Sequence, residues 1–268
     1  MGTRAYPLNQ LNTTTIGEDG PAVLVLHGWG SSMRDMEPLA RALAGDFKLT
    51  LIDLPGHGSS PPPEHPWGVP EFAALVSQFI EAYKLEPVTI LGHSNGGRIA
   101  LYMASSDTYA SLIERLILIS PSGIRPNRSW NYYFRATIAK LLKAPFTLLP
   151  HRLRKRGLAW LRQSPLWQAL GSSDYRQASG VMRETFVKTV NLYLDDRVDR
   201  IQVPTLIFRG DEDTAVSHRQ VAYLEEQIPD AGLVELSEAG HYGHLDNPGP
   251  CIAAIKYFMS HTPSHSSV

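Results

Sequence analysis

Gly92-His93-Ser94-Asn95-Gly96-Gly97 constrains this chain more than any other stretch. An apolar run, Val88-Thr89-Ile90-Leu91, precedes it, and Arg98-Ile99-Ala100-Leu101-Tyr102-Met103-Ala104 follows it. The pattern predicts a strand that turns sharply into a helix with Ser94 at the apex, the geometry of a nucleophile elbow. The glycines answer a steric demand, because the apex is strained and the chain passes too close to itself for a Cβ on either flank. Such a turn exposes a hydroxyl above the amide-rich start of a helix, where a poor nucleophile can be placed and deprotonated. The bare Gly-x-Ser-x-Gly pattern arises by chance in about one chain in ten of this length. The readable strand before it and helix after it carry the weight.

The same alternation runs through most of the chain. Ala22-Val23-Leu24-Val25-Leu26 reads as a buried strand ending at His27-Gly28-Trp29-Gly30. A helix is expected over about 34–44, then a strand over Phe47–Ile52 that ends in Asp53-Leu54-Pro55-Gly56-His57-Gly58. A proline-rich loop covers Ser59–Pro66 and a second helix runs from Pro70 to about Tyr83. Further strands are Leu116–Ile119, Thr205–Phe208 and Leu233–Leu236, and a closing helix spans Pro250 to about Ser260. Near-continuous apolar strands alternating with helices indicate a parallel sheet covered on both faces, an α/β fold. The segment Leu8–Ile16 is read as added antiparallel strand.

Residues 124–200 interrupt this order with no strand of their own, and the stretch is too long for a structureless loop. Its apolar spacing suggests several helices, read as a cap over the carboxyl ends of the strands. The expected division is a core of residues 1–123 and 201–268, a helical cap over 124–200, and a flexible tail over 261–268.

With 268 residues, 43 % of them apolar and 19 % charged, the chain can bury a large core. A net charge of −1 argues against bulk nucleic-acid binding, which needs a basic footprint. The single cysteine, Cys251, rules out an intramolecular disulfide and is read as a buried, inert thiol. There is no apolar run of about 18 residues and no apolar leader, so the expectation is a cytoplasmic protein without a membrane span.

If Ser94 is an acyl-transfer nucleophile, it needs a base, an orienting acid and an oxyanion hole, all supplied from loops at the strand carboxyl ends. Ten histidines are present. His241 follows the last strand in Glu238-Ala239-Gly240-His241-Tyr242-Gly243-His244 and is the preferred base, with His244 its rival. His27 and His57 sit in glycine-rich loops and are given structural or oxyanion-loop roles. Neither Asp nor Glu occurs between Arg115 and Ser173, which removes any acid directly after Leu116–Ile119. The next strand ends in Arg209-Gly210-Asp211-Glu212-Asp213, and Asp213 is the preferred acid over Asp211 and Glu212. The oxyanion hole calls for two backbone amides, those of Trp29 and Asn95. Trp29, His93 and Tyr242 are assigned to the substrate wall. No metal-binding spacing is visible, and no cofactor is expected.

Taken together, His27-Gly28-Trp29-Gly30, Asp53 through Gly58, Gly92 through Gly97, Gly210 through Asp213, Gly240-His241 and Asp246-Asn247-Pro248 resemble the α/β-hydrolase fold, specifically its lid-bearing microbial esterase, lactonase and carbon–carbon hydrolase group. The resemblance covers nearly the whole chain outside the cap. It implies a triad of Ser94, Asp213 and His241 and a small-molecule ester or lactone substrate. Ser94 stands where haloalkane dehalogenases and epoxide hydrolases carry Asp. Carbon–carbon hydrolases usually have Gly-Pro after the oxyanion glycine and Trp after the His; here Ser31-Ser32 and Tyr242 occupy those places. Ester hydrolysis is therefore the leading expectation. Carbon–carbon hydrolysis and a slow ligand sensor that signals through its lid are the alternatives.

Eleven Arg or Lys residues and no acid lie between Arg115 and Arg162, densest at Arg152-Leu153-Arg154-Lys155-Arg156. Aromatics are interleaved: Trp130, Tyr132, Tyr133, Phe134, Phe146, Trp160 and Trp167. Three uses compete: a solvated cationic face, transient contact with an anionic lipid surface, and an inward arginine that binds a substrate anion.

Overall fold

The computed structural model describes residues 6–126, 142, 144–146, 149–163 and 173–261. These residues form a seven-stranded sheet in the order β1-β3-β2-β4-β5-β6-β7. Its strands are β1 (Thr13–Ile16), β2 (Ala22–Leu26), β3 (Lys48–Ile52), β4 (Val88–His93), β5 (Ile113–Ile119), β6 (Thr205–Gly210) and β7 (Ala231–Leu236). Only β1 runs antiparallel, against β3, so the reading of Leu8–Ile16 holds for its second half. The strand order reverses beside β2. In an open parallel sheet such a reversal leaves a crevice at the carboxyl ends.

Side chains alternate along each strand, and the two faces pack against different helices. Leu24, Leu26, Ile90, Leu116, Leu118 and Ile207 share one cluster with α2 (Val69–Ala82), α3 (Asn95–Ala104) and α7 (His218–Gln227). Val23, Val25, Leu91, Ile117, Ile119 and Phe208 share the other with α1 (Met33–Leu43) and α9 (Pro248–Ser260), which follows the single turn α8 (Gly243–Asp246). This double burial explains why the strands read as continuous apolar runs. Cys251 lies fully buried in the second cluster, and burial pushes its thiol pKa up to about 12.

Between β5 and β6 the described residues include three helices, α4 (His151–Gln163), α5 (Ser173–Gln177) and α6 (Gly180–Val190). Helix α6 lies against the loops that leave β2 and β3. The Phe186 ring packs 5.1 Å from Trp29, and Thr185 Oγ1 accepts the Trp67 amide at 3.0 Å. The Lys188 ammonium donates to the Pro66 carbonyl at 2.7 Å. Of the interleaved aromatics, Trp130, Tyr132, Tyr133, Phe134 and Trp167 fall outside the described residues, as does the tail from residue 262 onward.

Arg115, counted in the basic run, belongs to the core instead. It is buried, and its guanidinium caps the end of α9 on the carbonyls of Phe258, Met259 and His261. The last carbonyls of a helix have no intrahelical donor, so a cation there is well placed. No helix among the described residues is long and apolar enough to cross a membrane.

Candidate active site

Ser94 sits between β4 and α3 with φ 50° and ψ −106°, a left-handed strain that few non-glycine residues adopt. The turn is fixed by close approach. A Cβ on Gly96 would stand 2.2 Å from the Leu26 carbonyl oxygen, and one on Gly28 would come within 3.2 Å of Ser94 Cβ. The Gly28-Trp29 backbone is therefore pressed against the serine. The strain is held from below as well. Ser94 N–H donates to the Ile119 carbonyl at 3.0 Å, and the Ser94 carbonyl accepts from Ser122 N at 3.0 Å and Ser122 Oγ at 3.1 Å. Asn95 opens α3, so its amide has no intrahelical acceptor. Its side chain is buried, with Nδ2 unpartnered among the described residues.

Asp213 and His241 meet. His241 Nδ1–H donates to Asp213 Oδ2 at 2.9 Å, with Asp213 fully buried and His241 24 % exposed. This bond fixes the tautomer and leaves Nε2 as an acceptor. Asp213 Oδ1 takes the amides of Ala215 at 2.7 Å and Val216 at 2.9 Å. Burial alone would raise the Asp213 pKa. The His241 hydrogen bond and the Val216 amide outweigh it, and the carboxyl is held at about 2. No hydrogen bond joins Ser94 Oγ to His241 among the described residues; such contacts are often long before substrate binds and tighten only in the complex.

His244 does not compete for the acid. It is 1 % exposed and its Nε2–H donates to the Asp35 carbonyl at 3.1 Å. Asp211 Oδ1 takes the Ala239 amide at 3.2 Å, tying the acid loop to the histidine loop. His27 is a brace: Nδ1–H donates to the Gly28 carbonyl at 2.7 Å, and Nε2 accepts the Leu54 amide at 2.9 Å. Burial and the nearby His57 lower its pKa to about 4, so it stays neutral and keeps that acceptor. The Asp53 carboxylate ties the β3 loop together through the amides of Met33 and Ser59 and the side chain of Asn12.

The assignment of His93 to the substrate wall is corrected. His93 is 1 % exposed, and its Nε2–H donates to the His241 carbonyl at 3.0 Å. Its ring packs on His241, Tyr242 and His244 at 4.8–5.1 Å. As the last residue of β4 it points to the same face as Leu91, away from the serine, and supports the base loop from beneath. Burial, with His244 and His241 close by, holds its pKa well below the usual range. Trp29 and Tyr242 are only partly buried, with Trp29 edge-on to His57 at 4.8 Å.

One functional-site neighbour escaped the sequence reading. Arg98, four residues past Ser94, is buried and donates to Ser122 Oγ at 3.2 Å, to the Leu192 carbonyl at 3.3 Å and to the Thr189 carbonyl. Burial lowers its pKa to about 10, so it stays charged at neutral pH. It fastens the end of α6 to the elbow helix. Nothing in the local spacing announces carbonyls some ninety positions away.

The sequence profile of the alpha/beta hydrolase fold matches residues 21–248. A pimeloyl-[acyl-carrier protein] methyl ester esterase of Chromobacterium violaceum is 30 % identical over 90 % of this chain and 94 % of its own length. A 2-succinyl-6-hydroxy-2,4-cyclohexadiene-1-carboxylate synthase of Yersinia pseudotuberculosis is 28 % identical over 90 % of this chain and 88 % of its own. Among solved structures, a meta-cleavage product hydrolase from Pseudomonas fluorescens superimposes with a TM-score of 0.68 at 20 % identity, over 93 % of this chain and 94 % of that one. At that identity the likeness speaks to the fold alone.

Proposed function

This chain belongs to the alpha/beta hydrolase fold family, and from that premise we propose that it is a serine hydrolase cleaving carboxylic esters, lactones included, of small or medium acyl substrates. The observations that support the reading are the closed His241–Asp213 pair at 2.9 Å and a serine held at φ 50° at the turn from β4 into α3. In the proposed cycle His241 Nε2 takes the Ser94 proton as Oγ attacks the ester carbonyl. Asp213 keeps the imidazole in its tautomer and stabilises the imidazolium. The amides of Trp29 and Asn95 receive the oxyanion, each worth about 3 kcal/mol in sites of this kind. Collapse expels the alcohol, which takes the proton back from His241. Water then repeats the sequence on the acyl-enzyme. Trp29 and Tyr242 form the wall against the acyl group, and the helices between β5 and β6 act as a cap above it.

Carbon–carbon hydrolysis of an acidic substrate is the second reading, since the fold hosts it and a synthase is among the relatives. It calls for an inward arginine on the substrate carboxylate. Among the described residues Arg98 is engaged by the carbonyls of Thr189 and Leu192, and Arg183 by that of Ala178.

The test is hydrolysis of short-chain p-nitrophenyl esters by the native protein and by Ser94→Ala. The variant should lose a factor of about 10⁴ or more in kcat while melting at the same temperature. Equal rates in the two proteins would end the ester reading.

A further inference from the structure

The sheet leaves one buried hydroxyl at the point where nucleophile and acid come closest in the strand order. Strand β5 lies between β4, which delivers Ser94, and β6, which leads to Asp213. Its carboxyl end carries no acid but does carry Ser120, whose amide donates to the Phe208 carbonyl of β6 at 2.8 Å. Ser120 is fully buried, and among the described residues its Oγ has no hydrogen bond of ordinary geometry. Its backbone sits at φ 44°, where glycine would be free and an L side chain costs about 1 kcal/mol or more.

We propose that Ser120 is a positioning residue of the acid–base pair, its hydroxyl donating to the Asp213 carboxylate as that group polarises His241. A carboxylate offers about four acceptor sites. Those of Asp213 receive the amides of Ala215 and Val216 and the His241 ring, which leaves room for one more donor. The Ser120 hydroxyl is also one of the groups that hold the Asp213 carboxyl below the usual range. Two residues further on, Ser122 grips the Ser94 carbonyl through both its amide and its hydroxyl. One short segment, 120–122, thus braces the nucleophile and the acid together. A serine tolerated at a glycine-like φ in a sealed position is accounted for by a hydroxyl that is used.

This inference rests on the serine-hydrolase reading, and the experiment separates the two. Native protein, Ser120→Gly and Ser120→Ala are compared in three measurements: the rate of Ser94 phosphonylation by a fluorophosphonate, the melting temperature, and the downfield proton resonance of His241 Nδ1, identified by its loss in His241→Asn. Glycine relieves the backbone strain and alanine keeps it, while both delete the hydroxyl. Both variants should label about tenfold more slowly, the equivalent of one hydrogen bond to a charged group. Both should shift the resonance, with Ser120→Gly melting no lower than Ser120→Ala. Native labelling rates with an unmoved resonance in both variants would overturn the proposal. So would a labelling loss in Ser120→Ala that Ser120→Gly restores, since backbone fit would then be the cause. Failure of the native protein to label at Ser94 would sink the serine-hydrolase reading, and the resonance alone would then decide the role of Ser120.

Discussion

At Asp213 the chain commits three donors to a single buried carboxylate, while along α4 it leaves Arg152, Arg154 and Arg156 exposed beside exposed Leu153 and Trp160. The first arrangement trades side-chain freedom for geometry within a few tenths of an ångström, as proton transfer requires. The second fixes little, and its charges are screened by solvent. The difference teaches how each kind of substitution acts: at Asp213 it strands buried donors, along α4 it removes a solvated charge. Arg98 ties the elbow segment to α6 rather than to α4, since one guanidinium touches both Ser122 and the carbonyls at the end of α6.

The comparison is most exposed to failure at the acid. Asp213→Asn should leave the fold intact and lower kcat by about 10⁴, because the amide cannot select the same imidazole tautomer; a fall of less than tenfold in ester turnover would place the acid elsewhere. Next comes the clamp. Arg98→Met strands the carbonyls of Thr189 and Leu192 in a buried site and should cost about 3 kcal/mol in chemical denaturation. KM should rise with it if α6 covers the substrate; an unchanged KM would mean that α6 does not cover it.

Acid titration sharpens the contrast differently. His27, His57, His93 and His244 are buried with their pKa values lowered chiefly by that burial, His27 to about 4. Below about pH 6.5 the unfolded chain takes up protons that the native state refuses. Stability is therefore complete above that value and falls as the pH drops toward 4. Asp213, held at about 2, adds a further loss between about pH 4 and 2. Melting temperatures followed from pH 8 to pH 4 should decline steadily below 6.5, and a flat profile would contradict the neutral histidine cluster. The smallest effect belongs to α4: Arg152→Ala and Arg156→Ala should each change stability by less than about 0.5 kcal/mol in the same denaturation assay.

Much of this architecture was legible because a parallel sheet buried on both faces writes itself as apolar runs, and because Gly92, Gly96 and Gly97 leave a spacing that few other turns need. Loop order after successive strands then separated His241 from nine other histidines and Asp213 from its neighbours. For His93 the alternation that turns its side chain away from Ser94 is the better guide, and a place in the substrate wall does not follow from adjacency in sequence. Arg115 misled because a run of like charges says nothing about which member caps a distant helix. Arg98 and Ser120 were silent for a related reason. The carbonyl acceptors of Arg98 lie at and after the end of α6 and that of the Ser120 amide lies in β6, and only the folded topology brings them together.

The sealed thiol of Cys251 has a practical consequence. As the sole cysteine, buried and with its pKa at about 12, it offers electrophiles almost no thiolate at neutral pH. A cysteine engineered into α4 would consequently be the only position to accept a maleimide dye, and that helix could be watched during turnover without first removing a native side chain.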